Sequence, residues 1–296
     1  MEFLFGLAAA FGAGTLAAAM GAVNAFIMTG VIAIIGGVLQ CIGAPDGITG
    51  VVAFGTIFGP HLSFAAGAAA AAYAKRIGKL DNGCNLGQGL AGIGEPSILI
   101  VGGVFGSIAW IIGTHVIPFI FGELIPIGTD NPGMTVVISG VLARLAFGQR
   151  GLFSAKPATL SKGKDLTMVL LRAIAYSLMV AGTGIALHDA GVGLGGYNIL
   201  IFGIAAVSLL FSGNASWHHI GIISAYATMI AIGFDLNEFV VLILAVASGL
   251  GAALLCNFEN CMFNNDVDSH IDGEGFSICL MTIVLNIVVK ILEATL

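Results

Sequence analysis

Two histidine-bearing interruptions in otherwise apolar sequence are where this chain could do chemistry. In the first, Gly59-Pro60 is followed at once by His61 and Ser63, inside an apolar stretch from Gly47 to Ala74 that is too long for one tidy helix. Proline lacks a backbone N–H and disfavours helix in the residue before it, so carbonyls near Gly59 lose their partners. In apolar surroundings such carbonyls turn toward protein or a polar cavity. The second interruption is Ser212-Gly213-Asn214-Ala215-Ser216-Trp217-His218-His219. Successive helical residues point about 100° apart, so His218 and His219 make a poor bidentate metal site by themselves. One can face a cavity while its neighbour caps or packs. Neutral imidazole both donates and accepts hydrogen bonds, which suits a polar uncharged solute or water. The expected pathway residues are Asn24, His61, Ser63, Asn214, Trp217, His218 and His219, with the helix break at Gly59 and Pro60. His61 and one of His218 or His219 are expected to converge on one cavity. Each also has a plainer role: a carbonyl-bonded core histidine, an interfacial tryptophan, an asparagine bridging helices.

The elements that must position these residues follow from where charge is missing. The first basic residue is Lys75, and the ten basic residues form islands at Lys75-Arg76-Lys79 and between Arg144 and Arg172, with Lys290 alone. Charged residues make up 9% of the chain against about 25% in soluble domains, so lipid must solvate most of the surface. Ten apolar segments can be drawn: Phe3–Met20, Gly21–Gln40, Gly47–Ala74, Pro96–Ile117, Met134–Phe147, Thr167–Leu187, Asn198–Phe211, Trp217–Gly233, Phe239–Cys256 and Phe276–Ile291. Lipid cannot satisfy an open sheet edge, and the alternation of a membrane barrel is absent. The expected fold is therefore all-α: a polytopic membrane bundle of about ten helices, at least one of them broken. Arg144 and Arg172 are expected to snorkel to the nearby loop.

Basic loops favour the cytoplasmic side, which puts both termini outside a multi-pass protein of the inner cell membrane. The segment Asn257–Glu274 fits that side poorly, with five acids and no base. Its Asp266–Asp272 stretch holds D-x-D and a histidine without EF-hand spacing, and reads as a solvated acidic loop ahead of a weak cation site. Glu95-Pro96 reads as a carboxylate at a helix start. A faint repeat lays Gly21–Phe26 on Gly213–His218, Ile42–Asp46 on Ile232–Asp235, and Asp81 with Gly87-Gln88-Gly89 on Asp268 with Gly273-Glu274-Gly275. It implies parallel units at residues 1–117 and 191–296, joined by a helical hairpin at 118–190.

The run from Phe58-Gly59-Pro60-His61-Leu62-Ser63-Phe64 through Tyr73-Ala74-Lys75-Arg76, the Ala-Phe-Ile-x-Thr-Gly core of Gly21–Gly30, and His218-His219-Ile220 resemble an uncharacterised prokaryotic family of permease-like membrane proteins. The resemblance implies an inner-membrane protein and assigns no substrate. The expected function is a transporter or channel for a small neutral or weakly charged solute or ion, its pathway at the repeat interface. The competing reading is a non-transporting membrane subunit that anchors a partner or contributes to an ion-translocating complex, docking through Asn257–Glu274. No nucleophile–base pair, phosphate loop, cysteine pair or chain of carboxylates appears, so no enzyme activity, cofactor or metal is expected. The net charge of −6 argues against nucleic acid. The lipid bilayer is the expected surrounding, and self-association is left open.

Overall fold

The computed structural model describes residues 1–156, 159–212 and 216–296, and it is helical, with no strand among the described residues. Among the described residues, ten helices carry the architecture: α1 Glu2–Met20, α2 Ala22–Cys41, α3 Ser63–Arg76, α4 Pro96–Ile111, α5 Asn131–Phe147, α6 Gly163–Asp189, α7 Tyr197–Val207, α8 His218–Gly233, α9 Glu238–Phe263 and α10 Gly273–Thr295. Two wide π-type turns extend α4 without a break to Leu124, and a short turn, Leu209–Ser212, extends α7. Six of these helices are long and apolar enough to cross a membrane: α1, α2, extended α4, α6, α9 and α10. Large apolar side chains lie open on their outer faces, Ile243 at 67% and Phe239 at 79% exposure on α9. An unpaired apolar surface of this kind suits lipid.

Small residues set the packing. Gly14 of α1 meets Gly102 and Gly106 of α4, and Gly30 and Gly37 of α2 meet Gly203 and Leu200 of α7, so both pairs run antiparallel with backbones in contact. The Ala65–Ala72 run of α3 is buried throughout. Gly21 alone joins α1 to α2 at φ 94°, and a Cβ there would come within 2.8 Å of the Gln88 carbonyl.

The expected break is present. A π-type turn covers Ile48–Ala53, turns follow, and α3 begins only at Ser63. Thr29 Oγ1 of α2 donates to the Phe58 carbonyl, and Ser63 Oγ donates to Phe58 at 3.2 Å and to Gly59 at 3.1 Å. The Phe58 and Gly59 carbonyls beside Pro60 are thus answered within the protein rather than by lipid.

Helices α5 and α10 start in the same way. Asp130 Oδ1 accepts from Gly133 N at 2.6 Å, and Asp272 Oδ2 accepts from Gly275 N at 2.7 Å. The two starts abut: a Cβ on Gly133 would lie 2.8 Å from the Gly275 carbonyl, and one on Gly275 would lie 3.0 Å from the Gly133 carbonyl. From that meeting point the helices run in opposite directions, each flanked by the strip of chain that precedes the other. Gly140 of α5 packs against His270 and Ile271, while Thr129 Oγ1 donates to Cys279 O of α10 at 3.0 Å and Asn286 Nδ2 donates to Gly128 O at 3.2 Å.

Two expectations about charge need correction. Arg144 does not snorkel. It is 2% exposed and donates to Ser269 Oγ (2.8 Å), Ser269 O (2.5 Å), Leu152 O (2.9 Å), Asn264 Oδ1 (3.2 Å) and Phe263 O. A planar fork with five donors suits this knot of carbonyls better than a water-seeking tail does. Nor is Asn257–Glu274 a solvated loop. Its first seven residues end α9, where Glu259 is fully buried, and the buried Asp268 accepts from Gln149 N at 2.8 Å. Asp266 pairs with Arg150 at 2.5 Å and Lys156 at 3.0 Å. The hydrogen bond from Lys156 and the positive charge of Arg150 hold the Asp266 carboxyl below its usual range. The bases that looked absent locally are supplied by the 148–162 segment, which also binds this loop through Ser154 N to Met262 O (2.7 Å) and Ala155 N to Asn265 O (3.1 Å). Glu95 behaves as expected, capping α4 by accepting from Ser97 N at 3.3 Å and Ser97 Oγ at 2.8 Å.

Candidate functional site

A cavity of about 620 Å³ opens where the helix starts meet the Pro60 break. Its apolar wall is Phe26, Phe54, Phe64 and Phe202, and its polar side is Asp130, Ser216, His218, His270, Asp272 and Glu274. Each polar group is there for a local reason. Asp130 and Asp272 are the N-caps of α5 and α10, Glu274 stands in the first turn of α10, and His218 opens α8 just after the second interruption. His270 Nε2 lies 3.3 Å from Asp272 Oδ1.

A second cavity, of about 190 Å³, lies on the far side of Glu274. Arg172, His219, Cys256, Asn257 and Asn260 line it, and Ser216 and Glu274 line both cavities. Ser216 Oγ donates to Glu274 Oε1 at 2.5 Å, so this hydrogen-bonded pair borders both cavities. The adjacent histidines serve opposite sides, as the angle between neighbouring helical residues requires. Their ring planes stand at 85° with centroids 5.8 Å apart; His218 faces the large cavity and packs on Phe26 (4.8 Å) and Phe202 (6.0 Å), while His219 faces the small one. His218 and His219 are 8% and 6% exposed, and the Nδ1 of each is buried without a hydrogen-bond partner among the described residues. His219, Cys256 and Glu274 each offer a ligand atom within 4.8 Å of the others, and so do His270, Asp272 and Glu274.

Of the residues singled out from sequence, Pro60 and His218 line the large cavity and His219 the small one. His61 lines neither cavity; a Cβ on Gly113 would meet its ring at 3.2 Å. Ser63 answers Phe58 and Gly59, and the Gly59 carbonyl also accepts from Leu62 N and Ser63 N in the turn. Asn24 Nδ2 donates to Met20 O (2.7 Å) and Gly87 O (3.1 Å), pinning the 80–90 loop onto α2. Trp217 Nε1 donates to Ser208 Oγ at 2.8 Å. Asn214 lies outside the described residues. Sequence reasoning passed over Asp130 and Cys256 as site residues, and it placed His270, Asp272 and Glu274 in the acidic segment Asn257–Glu274 rather than in this pathway. Their available signal was an aspartate three residues before a glycine at each helix start, Asp130-Asn-Pro-Gly133 and Asp272-Gly-Glu-Gly275.

The chain belongs to a family of unknown function (DUF7973), whose profile matches residues 2–160. That span contains α1 to α5 and ends before α6. No curated protein and no solved structure matches the chain.

Proposed function

We propose that this chain is an integral membrane transporter or channel for a small solute, whose pathway passes from the large cavity, past Glu274, into the small one. One observation carries the reading: two cavities share a carboxylate–hydroxyl pair at a junction of helix starts. Ionisable groups are costly within apolar bundles and concentrate where solutes or ions pass. Discontinuous helices meeting at mid-depth are a common transporter device. Three acids and two histidines around one space favour a solute that brings hydrogen-bond donors or positive charge.

The wider arrangement we infer has ten spans with both termini outside, in the inner cell membrane, consistent with the permease-like resemblance. The packing supports an inverted repeat, α1–α5 against α6–α10, in place of a parallel repeat over 1–117 and 191–296. Antiparallel contact of α1 with α4 is matched by α6 with α9, where Ser177 faces Gly249. α2 meets α7, and α5 meets α10, as each would across an axis in the membrane plane. Five spans per unit invert the second unit relative to the first.

Reconstituted vesicles give the test. Flux of small cations and small polar solutes should fall at least about tenfold in Glu274→Gln, which corresponds to about 1.4 kcal/mol at the shared pair. Flux equal to wild type would defeat the pathway. Labelling of Ser161→Cys and Thr295→Cys should find them on opposite faces; one shared face would defeat the topology.

A further inference from the structure

We propose that His219, Cys256 and Glu274 form a binding site for a divalent first-row transition-metal ion, and that this ion class is the cargo; only the second half rests on the transport reading above.

The three donors come from three packed helices: the first turn of α8, the body of α9 and the first turn of α10. Their ligand atoms already lie within 4.8 Å of one another. Metal–ligand bonds of about 2.0–2.3 Å put tetrahedral ligands roughly 3–4 Å apart, close to the spacing these atoms already have. A second, independent sign is His219 itself. It is 6% exposed, makes no hydrogen bond with the described residues, and lines the small cavity between these helices. A buried imidazole is ordinarily satisfied, so one left without a partner beside a thiol and a carboxylate points to a ligand.

The donor chemistry selects the ion. A thiolate with an imidazole suits zinc and its open-shell neighbours and disfavours calcium and magnesium, which take oxygen. Charge also balances. On binding, the Cys256 S–H bond breaks, its proton leaves to water, and a metal–sulfur bond forms. Thiolate and carboxylate then match the two positive charges, with His219 neutral. Arg172 also lines this cavity, donating to Ser216 O at 2.8 Å and standing 5.7 Å over the Tyr176 ring, and it is not among the donors. Three protein donors leave a coordination position open, which a passing ion needs and a closed structural site lacks. The oxygen-rich trio His270, Asp272 and Glu274 lines the large cavity. Because Glu274 belongs to both trios, one carboxylate can pass an ion from the large cavity to the thiolate side.

Cobalt(II) chloride added to the purified full-length protein in detergent tests the site. Wild type should bind saturably and show a near-ultraviolet thiolate-to-cobalt charge-transfer band. Cys256→Ser should lose the band, and His219→Ala should bind at least about tenfold more weakly, on the scale of losing one metal ligand contact. Cys261→Ser, on the same helix, should keep both, and circular dichroism should show all three variants folded. A band that survives in Cys256→Ser, or no saturable cobalt binding by folded wild type, overturns the metal site, and polar-solute flux in vesicles would then still decide the pathway reading separately. Cobalt binding without zinc or cobalt flux overturns the ion as cargo while leaving the site standing.

Discussion

Helices α5 and α10 begin with the same device and end with different surroundings. Each starts with an aspartate cap closed by a glycine three residues on, and the two glycines touch. The residue in register with Glu274 of α10 is Pro132 of α5. The strip leading into α10 carries His270, and Arg144 ties it down; the strip leading into α5 carries Thr129 and Gly128, held by a single carbonyl contact each. Both helix starts line the large cavity, but a carboxylate beyond the caps stands on α10 alone, where α5 has Pro132. The scaffold is paired and the chemistry is not. A backbone junction needs equal geometry on both sides, whereas a solute path needs its charge at one crossing point.

That contrast can be broken by experiment. The largest difference should separate Glu274→Gln from Pro132→Ala, with flux in vesicles lost in the first and kept within about threefold in the second, less than 1 kcal/mol. Equal losses would mean the two starts do equivalent work. Arg144→Ala should cost about 3–5 kcal/mol in unfolding free energy in detergent, because it strips a buried network of its donor, and Arg144→Lys should recover little of the fork geometry. Loss of under about 1 kcal/mol would show the strip before α10 is held by something else. Gly133→Ala and Gly275→Ala should each destabilise by about 1–3 kcal/mol through the close approach of the two starts, and by similar amounts. A large inequality between them would sharpen the asymmetry down to the backbone. Asp130→Ala should cost roughly 1 kcal/mol as a lost cap. The smallest effect belongs to Asp266. Its depressed carboxyl stabilises the loop pairing above its unfolded value near 3.9, and that contribution is lost as pH falls through the folded value. The advantage of wild type over Asp266→Asn should therefore be present at neutral pH and vanish on acidification; an advantage unchanged at low pH would exclude the ion pairs as its source.

Much of the fold was legible. All ten apolar segments drawn from sequence contain a helix, since a run of Ala, Ile, Val and Phe without charge leaves the backbone no partner but itself. The Pro60 break was legible too, because a missing N–H is a property of one residue. Within the site, the sequence marked Pro60, at the first interruption, and His218 and His219, just after the second. His61, named beside them, lines neither cavity. The sequence did not join Glu274 to Cys256, since they stand 18 positions apart on different helices and share no pattern.

Composition and spacing settled what each segment is, because helix formation in an apolar chain is a local matter of hydrogen bonds and side-chain volume. Which segments meet was decided only by the tertiary structure. Gly133 finds Gly275, Arg144 reaches Ser269 and Glu274 comes between two histidines through contacts distant in sequence, where packing and charge pairing act on the folded chain as a whole.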